Sequence, residues 1–155
     1  MDRHLPDHET LRAMVSEIAA RATVAVGLAG IALIHLLDSI GKWSETRYLF
    51  WMYIALMVGS LATAGAVLFS RHRAAWLAAA AVAASALIGY VVNRTVGMPN
   101  ATGDIGNWTE PLGLASLFVE AAVLAVSLAG FAVTGRIAGV AGGVLAGRRR
   151  DLAAA

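Results

Sequence analysis

Four apolar runs, at 22–40, 48–70, 74–92 and 112–133, are separated by shorter polar stretches along the chain. Each is near the ~20 residues needed to cross ~30 Å of hydrocarbon. A bilayer offers no water to an unpaired backbone group, so the economical form for each run is a helix. The pattern predicts an all-α fold: a four-transmembrane-helix antiparallel bundle with helices at about 10–40, 48–70, 74–93 and 111–135. The first helix is expected to start ahead of its apolar run. Leu11, Met14, Val15 and Ile18 recur there at helical spacing, and Glu17 and Arg21 stand four residues apart as a favourable pair. This gives an amphipathic N-terminal extension. Residues 1–136 form a single membrane domain in this reading, and 137–155, rich in glycine and arginine and too short in its apolar part to span, form a cytoplasmic tail.

Orientation follows from the positive residues. Arg3, Arg12, Arg21, Arg71, Arg73, Arg136 and the arginines at 148–150 fall on one side, against Lys42, Arg47 and Arg94 on the other. The positive-inside rule then places both termini in the cytoplasm and the loops at 41–47 and 94–110 outside. The acidic first twenty residues do not resemble a signal peptide, so the N-terminus is expected to be retained. Arginine is strongly preferred to lysine and alanine is abundant, which suggests a GC-rich bacterial coding sequence and a bacterial cytoplasmic membrane location.

Composition narrows the chemistry. The 155 residues are 59% hydrophobic and 14% charged, too apolar for an ordinary soluble domain. The absence of cysteine excludes disulfides, thiolate metal sites, iron–sulfur clusters and cysteine-pair redox chemistry. The arginines sit at the ends of apolar runs and not on a basic face, so nucleic acid is not an expected partner. Trp43, Trp51, Trp76 and Trp108 lie near helix ends and are expected to be interfacial anchors.

Helix packing is expected to use small residues, since close approach is what helices gain inside a membrane. Ala55, Gly59 and Thr63 line one stripe of the second helix, and Ala81, Ser85 and Gly89 one of the third. On the fourth, Gly113, Ser116, Glu120, Ser127 and Thr134 share a face, so Glu120 is expected to point into the bundle. A carboxyl at that depth costs roughly 2.5–3.5 kcal/mol on insertion scales, which makes Glu120 the leading functional residue. Its plain structural role would be a bond to Arg94, His35 or Ser116.

His35 and Asp38 lie on the same side of the first helix, and antiparallel neighbours would bring His35 and Glu120 to similar depths. Asn93 and Arg94 close the third helix at that level, Met52 and Tyr53 open the second, and Glu110 and Pro111 start the fourth. Glu110 and Pro111 also suit a helix start by dipole and ring geometry. The outcome is an expected outward-facing polar pocket. Its metal-ligating candidates are His35, Glu120 and Asp38, supported by Asn93, Arg94, Glu110, Met52, Tyr53 and Ser116. Imidazole and carboxylates suit a divalent transition metal, and the thioether of Met52 or Met98 suits Cu(I). No bis-histidine haem spacing, phosphate loop or hydrolase triad is visible, and no catalytic residue is assigned.

Three strings beginning seven residues apart, Asn93-Arg94-Thr95, Asn100-Ala101-Thr102 and Asn107-Trp108-Thr109, read as turn chemistry. Ile34-His35-Leu36, the string Asn93-Arg94-Thr95-Val96-Gly97-Met98-Pro99, and Glu110 and Glu120 about the start of the fourth helix give the chain a likeness. Over about 25–130 it resembles small, uncharacterised four-helix membrane proteins of actinobacteria. The resemblance implies a fold and no activity.

The expected function is therefore an integral membrane protein whose pocket binds or passes a small cation, a transition metal or a proton, with affinity falling as pH drops and His35 and Glu120 protonate. Two rivals stand beside it. One is an accessory or assembly subunit of a larger membrane complex, or a homo-oligomer, favoured by the many small-residue faces. The other is a membrane enzyme acting on a lipid or quinone with Glu120 as acid or base and His35 as its partner.

Overall fold

The computed structural model describes residues 7–153, with side chains described through Gly135. Among these the chain is helical: α1 His8–Glu45, α2 Arg47–Phe69, α3 Ala74–Thr95 and α4 Pro111–Ala153. All four carry a stretch long and apolar enough to cross a membrane, as a multi-pass membrane protein does. Large apolar side chains such as Val26, Ile40, Phe69, Ile88 and Phe118 are exposed around the bundle, the surface a bilayer would cover.

The helix boundaries follow local chemistry. Asp7 caps α1 by accepting from the Thr10 N–H at 2.8 Å. The hydrogen bonds from Thr10 hold the Asp7 carboxyl below the ordinary carboxylate range. α1 runs to Glu45, beyond the expected end at 40, because 41–45 contain no proline and only one glycine. Thr46 alone separates α1 from α2, while residues 70–73 join α2 to α3 at the opposite end. Pro111 occupies the first turn of α4, where its missing N–H costs nothing. The expected tail from 137 instead continues α4 to Ala153. No proline interrupts it, so no backbone N–H is missing from the helical ladder there. The side chains of that segment, including Arg136 and the arginines at 148–150, lie outside the described residues, as do Arg3 and His4.

The packed core sits toward the 70–73 end. Val24, Leu28 and Ile31 of α1 meet Val67 of α2, Trp76, Ala79 and Ala83 of α3, and Val123 of α4. Close approach occurs where glycine faces a bulky neighbour. A Cβ at Gly27 would collide with Val123, and one at Gly130 would lie 2.7 Å from the Trp76 ring. Trp76 is therefore a core residue, only 2% exposed, and not the interfacial anchor expected from its position near a helix start. Trp43, Trp51 and Trp108 are exposed.

The small-residue stripes of α2 and α3 behave differently from expectation. A Cβ at Gly59 or Gly89 would meet no heavy atom within 4 Å, because α2 and α3 pack least closely of the sequence-adjacent helices. Close approach lies instead between α1 and α4, where Gly27 faces Val123 and Gly30 faces Val119, and between α3 and α4, where Gly130 faces Trp76.

Candidate functional site

The space that α2 and α3 leave opens into a cavity of about 670 Å³ in the half of the bundle near Thr46 and the 96–110 loop. All four helices and the loop wall it. α1 contributes His35, Asp38 and Lys42; α2 contributes Leu49, Met52, Tyr53 and Leu56; α3 contributes Val82, Tyr90, Asn93 and Arg94; α4 contributes Ser116 and Glu120. Met98, Asp104 and Glu110 reach it from the loop. Every candidate site residue read from the sequence thus lines one cavity. Lys42, Tyr90 and Asp104 were not singled out by the sequence reading.

Depth explains the convergence. Glu120 lies nine residues past Pro111, ~13 Å along α4, and His35 lies ten residues before Glu45, ~15 Å along α1. The extra turn at the end of α1 makes the two levels match more closely than an end at 40 would allow.

Glu120 is fully buried. The Ser116 hydroxyl, one turn earlier, donates to its Oε1, and Oε2 has no hydrogen-bond partner among the described residues. Such an acceptor loses its hydration without replacement, a penalty of roughly 1–3 kcal/mol or more for a charged group. Arg94, considered as its partner, turns elsewhere. Its Nη1 lies 2.9 Å from Asp104 Oδ1 and its Nη2 3.6 Å from Glu110 Oε2.

His35 Nδ1 is 2.9 Å from the Ile31 carbonyl. A carbonyl only accepts, so Nδ1 carries the hydrogen, and in the neutral ring Nε2 is left as an acceptor. The ring stands edge-on to Tyr53 at 5.2 Å between centroids. Asp38, one turn further along α1, is exposed and forms no ion pair among the described residues.

The loop is clasped over this end. Arg94 is 7% exposed and also lies 5.1 Å from the Tyr90 ring centroid. Asn93 donates to Asp104 at 3.1 Å, and the Tyr48 hydroxyl donates to the Pro99 carbonyl at 2.7 Å. Burial pushes the Asp104 carboxyl up, but the Asn93 and Arg94 hydrogen bonds and the Arg94 charge outweigh it and hold it below the ordinary carboxylate range. Glu110 accepts from the backbone N–H groups of Leu112 and Gly113, capping α4 as its position suggested.

The turn reading of the three asparagine strings holds in part. Asn100 takes a positive φ of 56° beside the Met98–Ala101 bridge, a conformation asparagine tolerates. Asn93 to Thr95 instead form the last turn of α3.

The three expected metal ligands do not form a ligand set. Among the described residues, no group of three or more His, Asp or Glu side chains is disposed to hold a metal ion. His35 and Asp38 share a face of α1, and Glu120 comes from α4. Comparison with protein-family models, with curated proteins and with solved structures found no match to this chain.

Proposed function

We propose that the protein is a multi-pass protein of a bacterial cytoplasmic membrane whose cavity binds a small organic cation carrying an apolar portion. The helices run antiparallel, both termini are cytoplasmic and the cavity faces outside. Arg71 and Arg73 at the 70–73 turn support this orientation, as do the short connectors at alternating ends.

The observation that carries the reading is the buried, half-partnered Glu120 carboxyl at the depth of a cavity far larger than a bare ion. Charge balance favours a cation. Arg94 is engaged by Asp104 and Glu110, and Lys42 by Glu45 at 3.2 Å. Asp38 and Glu120 line the space and are in no ion pair among the described residues, with His35 Nε2 as a further acceptor. Leu49, Met52, Leu56 and Val82 supply apolar wall, and the size falls within the ~300–1,000 Å³ typical of organic ligand sites. The Tyr53 ring adds a face that attracts cations. A metal ion would need ligands drawn together; an organic cation spans them.

Calorimetric titration of the detergent-purified protein with butyltrimethylammonium tests the reading. Saturable binding is expected, weakened about tenfold or more by Glu120→Gln and by Asp38→Asn, as for loss of a charged partner. Equal affinity in all three proteins would sink it.

A further inference from the structure

We infer that the occupant of this cavity is a single-chain amphiphile taken from the bilayer, its cationic head beside Glu120 and its tail leaving between α2 and α3. This rests on the cation-binding reading above and adds the class of guest and its route.

The gap between α2 and α3 is lined by Ala55, Gly59, Ser85 and Gly89, which also line the cavity. Ala55 and Ser85 are exposed as well as lining the cavity, and in this proposal the seam they mark is its opening to the outside of the bundle. The seam lies at hydrocarbon depth. Ser85 stands ten residues before Thr95, ~15 Å along α3, close to the depth of Glu120 on α4. An opening there faces lipid tails and not water.

Its chemistry suits an alkyl chain. The Ser85 hydroxyl is turned back onto the Val82 carbonyl of its own helix at 2.7 Å, so it asks nothing of a guest. Gly59 and Gly89 offer open space on both sides. Glu120 lines the same cavity, and its Oε2 is a buried acceptor without a partner among the described residues, the group that would attract a cationic head. The loop end, by contrast, is crossed by the Tyr48–Pro99 and Arg94–Asp104 bonds.

The test compares two radiolabelled probes with the same head, butyltrimethylammonium and hexadecyltrimethylammonium, on protein in lipid nanodiscs with empty discs subtracted. Gly59→Leu and Gly89→Leu fill the seam without a clash at Cβ. They are expected to weaken the hexadecyl probe about tenfold, by taking the space of its tail, and to weaken the butyl probe clearly less. Unchanged hexadecyl binding in both variants, or equal weakening of both probes, overturns the lateral route. If Glu120→Gln leaves butyl binding intact, the head-group site itself is overturned, a different failure from that of the seam.

Discussion

Ser116 donates to Glu120 Oε1 across one turn of α4, and both side chains are buried on the face turned toward α1 and α3. The pair satisfies half of a carboxyl that otherwise has no partner among the described residues. Ser116→Ala is expected to lower stability by about 1–3 kcal/mol, the cost of an orphaned buried acceptor. Glu120→Met should restore or exceed wild-type stability while abolishing cation binding, because an apolar side chain of similar volume removes the desolvation penalty. Apparent melting temperatures in detergent check both. A Ser116→Ala protein that melts with the wild type would remove the pair from the energetics.

Gly130 and Gly59 should respond oppositely to the same change. A Cβ at Gly130 would sit 2.7 Å from a Trp76 ring that is itself packed in the core. Gly130→Ala is expected to cost about 1–3 kcal/mol. Gly59 has open space, so Gly59→Ala should stabilise α2 by up to about 1 kcal/mol through helix propensity. Thermal unfolding of the two variants side by side measures the difference.

Arg21 fastens the opposite end of the bundle. Its Nη1 donates to the Val67 carbonyl at 2.6 Å and the Ser70 carbonyl at 2.8 Å, and the guanidinium lies 5.3 Å from the Trp76 ring centroid. These are carbonyls that the end of α2 leaves without a helical partner. Lysine lacks the planar fork, so Arg21→Lys is expected to lose about 1.5–3 kcal/mol. Faster amide hydrogen exchange confined to the last turn of α2 and residues 70–73 would report it.

The loop clasp should resist mild acid. Asp104 has a folded pKa below its unfolded value, so its contribution to stability is fully present above the unfolded value of about 3.9 and is lost as pH falls through the folded one. Exchange protection in the 96–110 loop should therefore hold from neutral pH down to about 5 and fail only below about 4. Asp104→Asn should show the released behaviour at every pH. Loss of protection between pH 7 and 5 would contradict the assignment.

Much of the architecture was legible because a membrane span writes itself as a long apolar run. The buried face of α4, from Gly113 through Ser127, was legible for the same reason: polar and small residues at helical spacing stand out against leucine and valine. Asp104 was not, because a residue in an aperiodic loop carries no register to say which helix end it will meet. Gly59 and Gly89 misled in an instructive way. Small residues at helical spacing permit close approach but do not compel it, and here the core at Trp76 and Val123 lies nearer the other end. The end of α1 was misjudged because its last turn is polar, and polarity was read as the end of the helix where it is only the end of the apolar run.

The bundle is built like a book. Gly27 against Val123 makes α1 and α4 the binding, and Thr46 allows the first two helices no slack at their shared end. The free page edges are α2 and α3. Any give for a guest of a different girth would lie in the halves of α2 and α3 near Thr46 and the loop, since their other halves are held in the core through Val67, Trp76, Ala79 and Ala83.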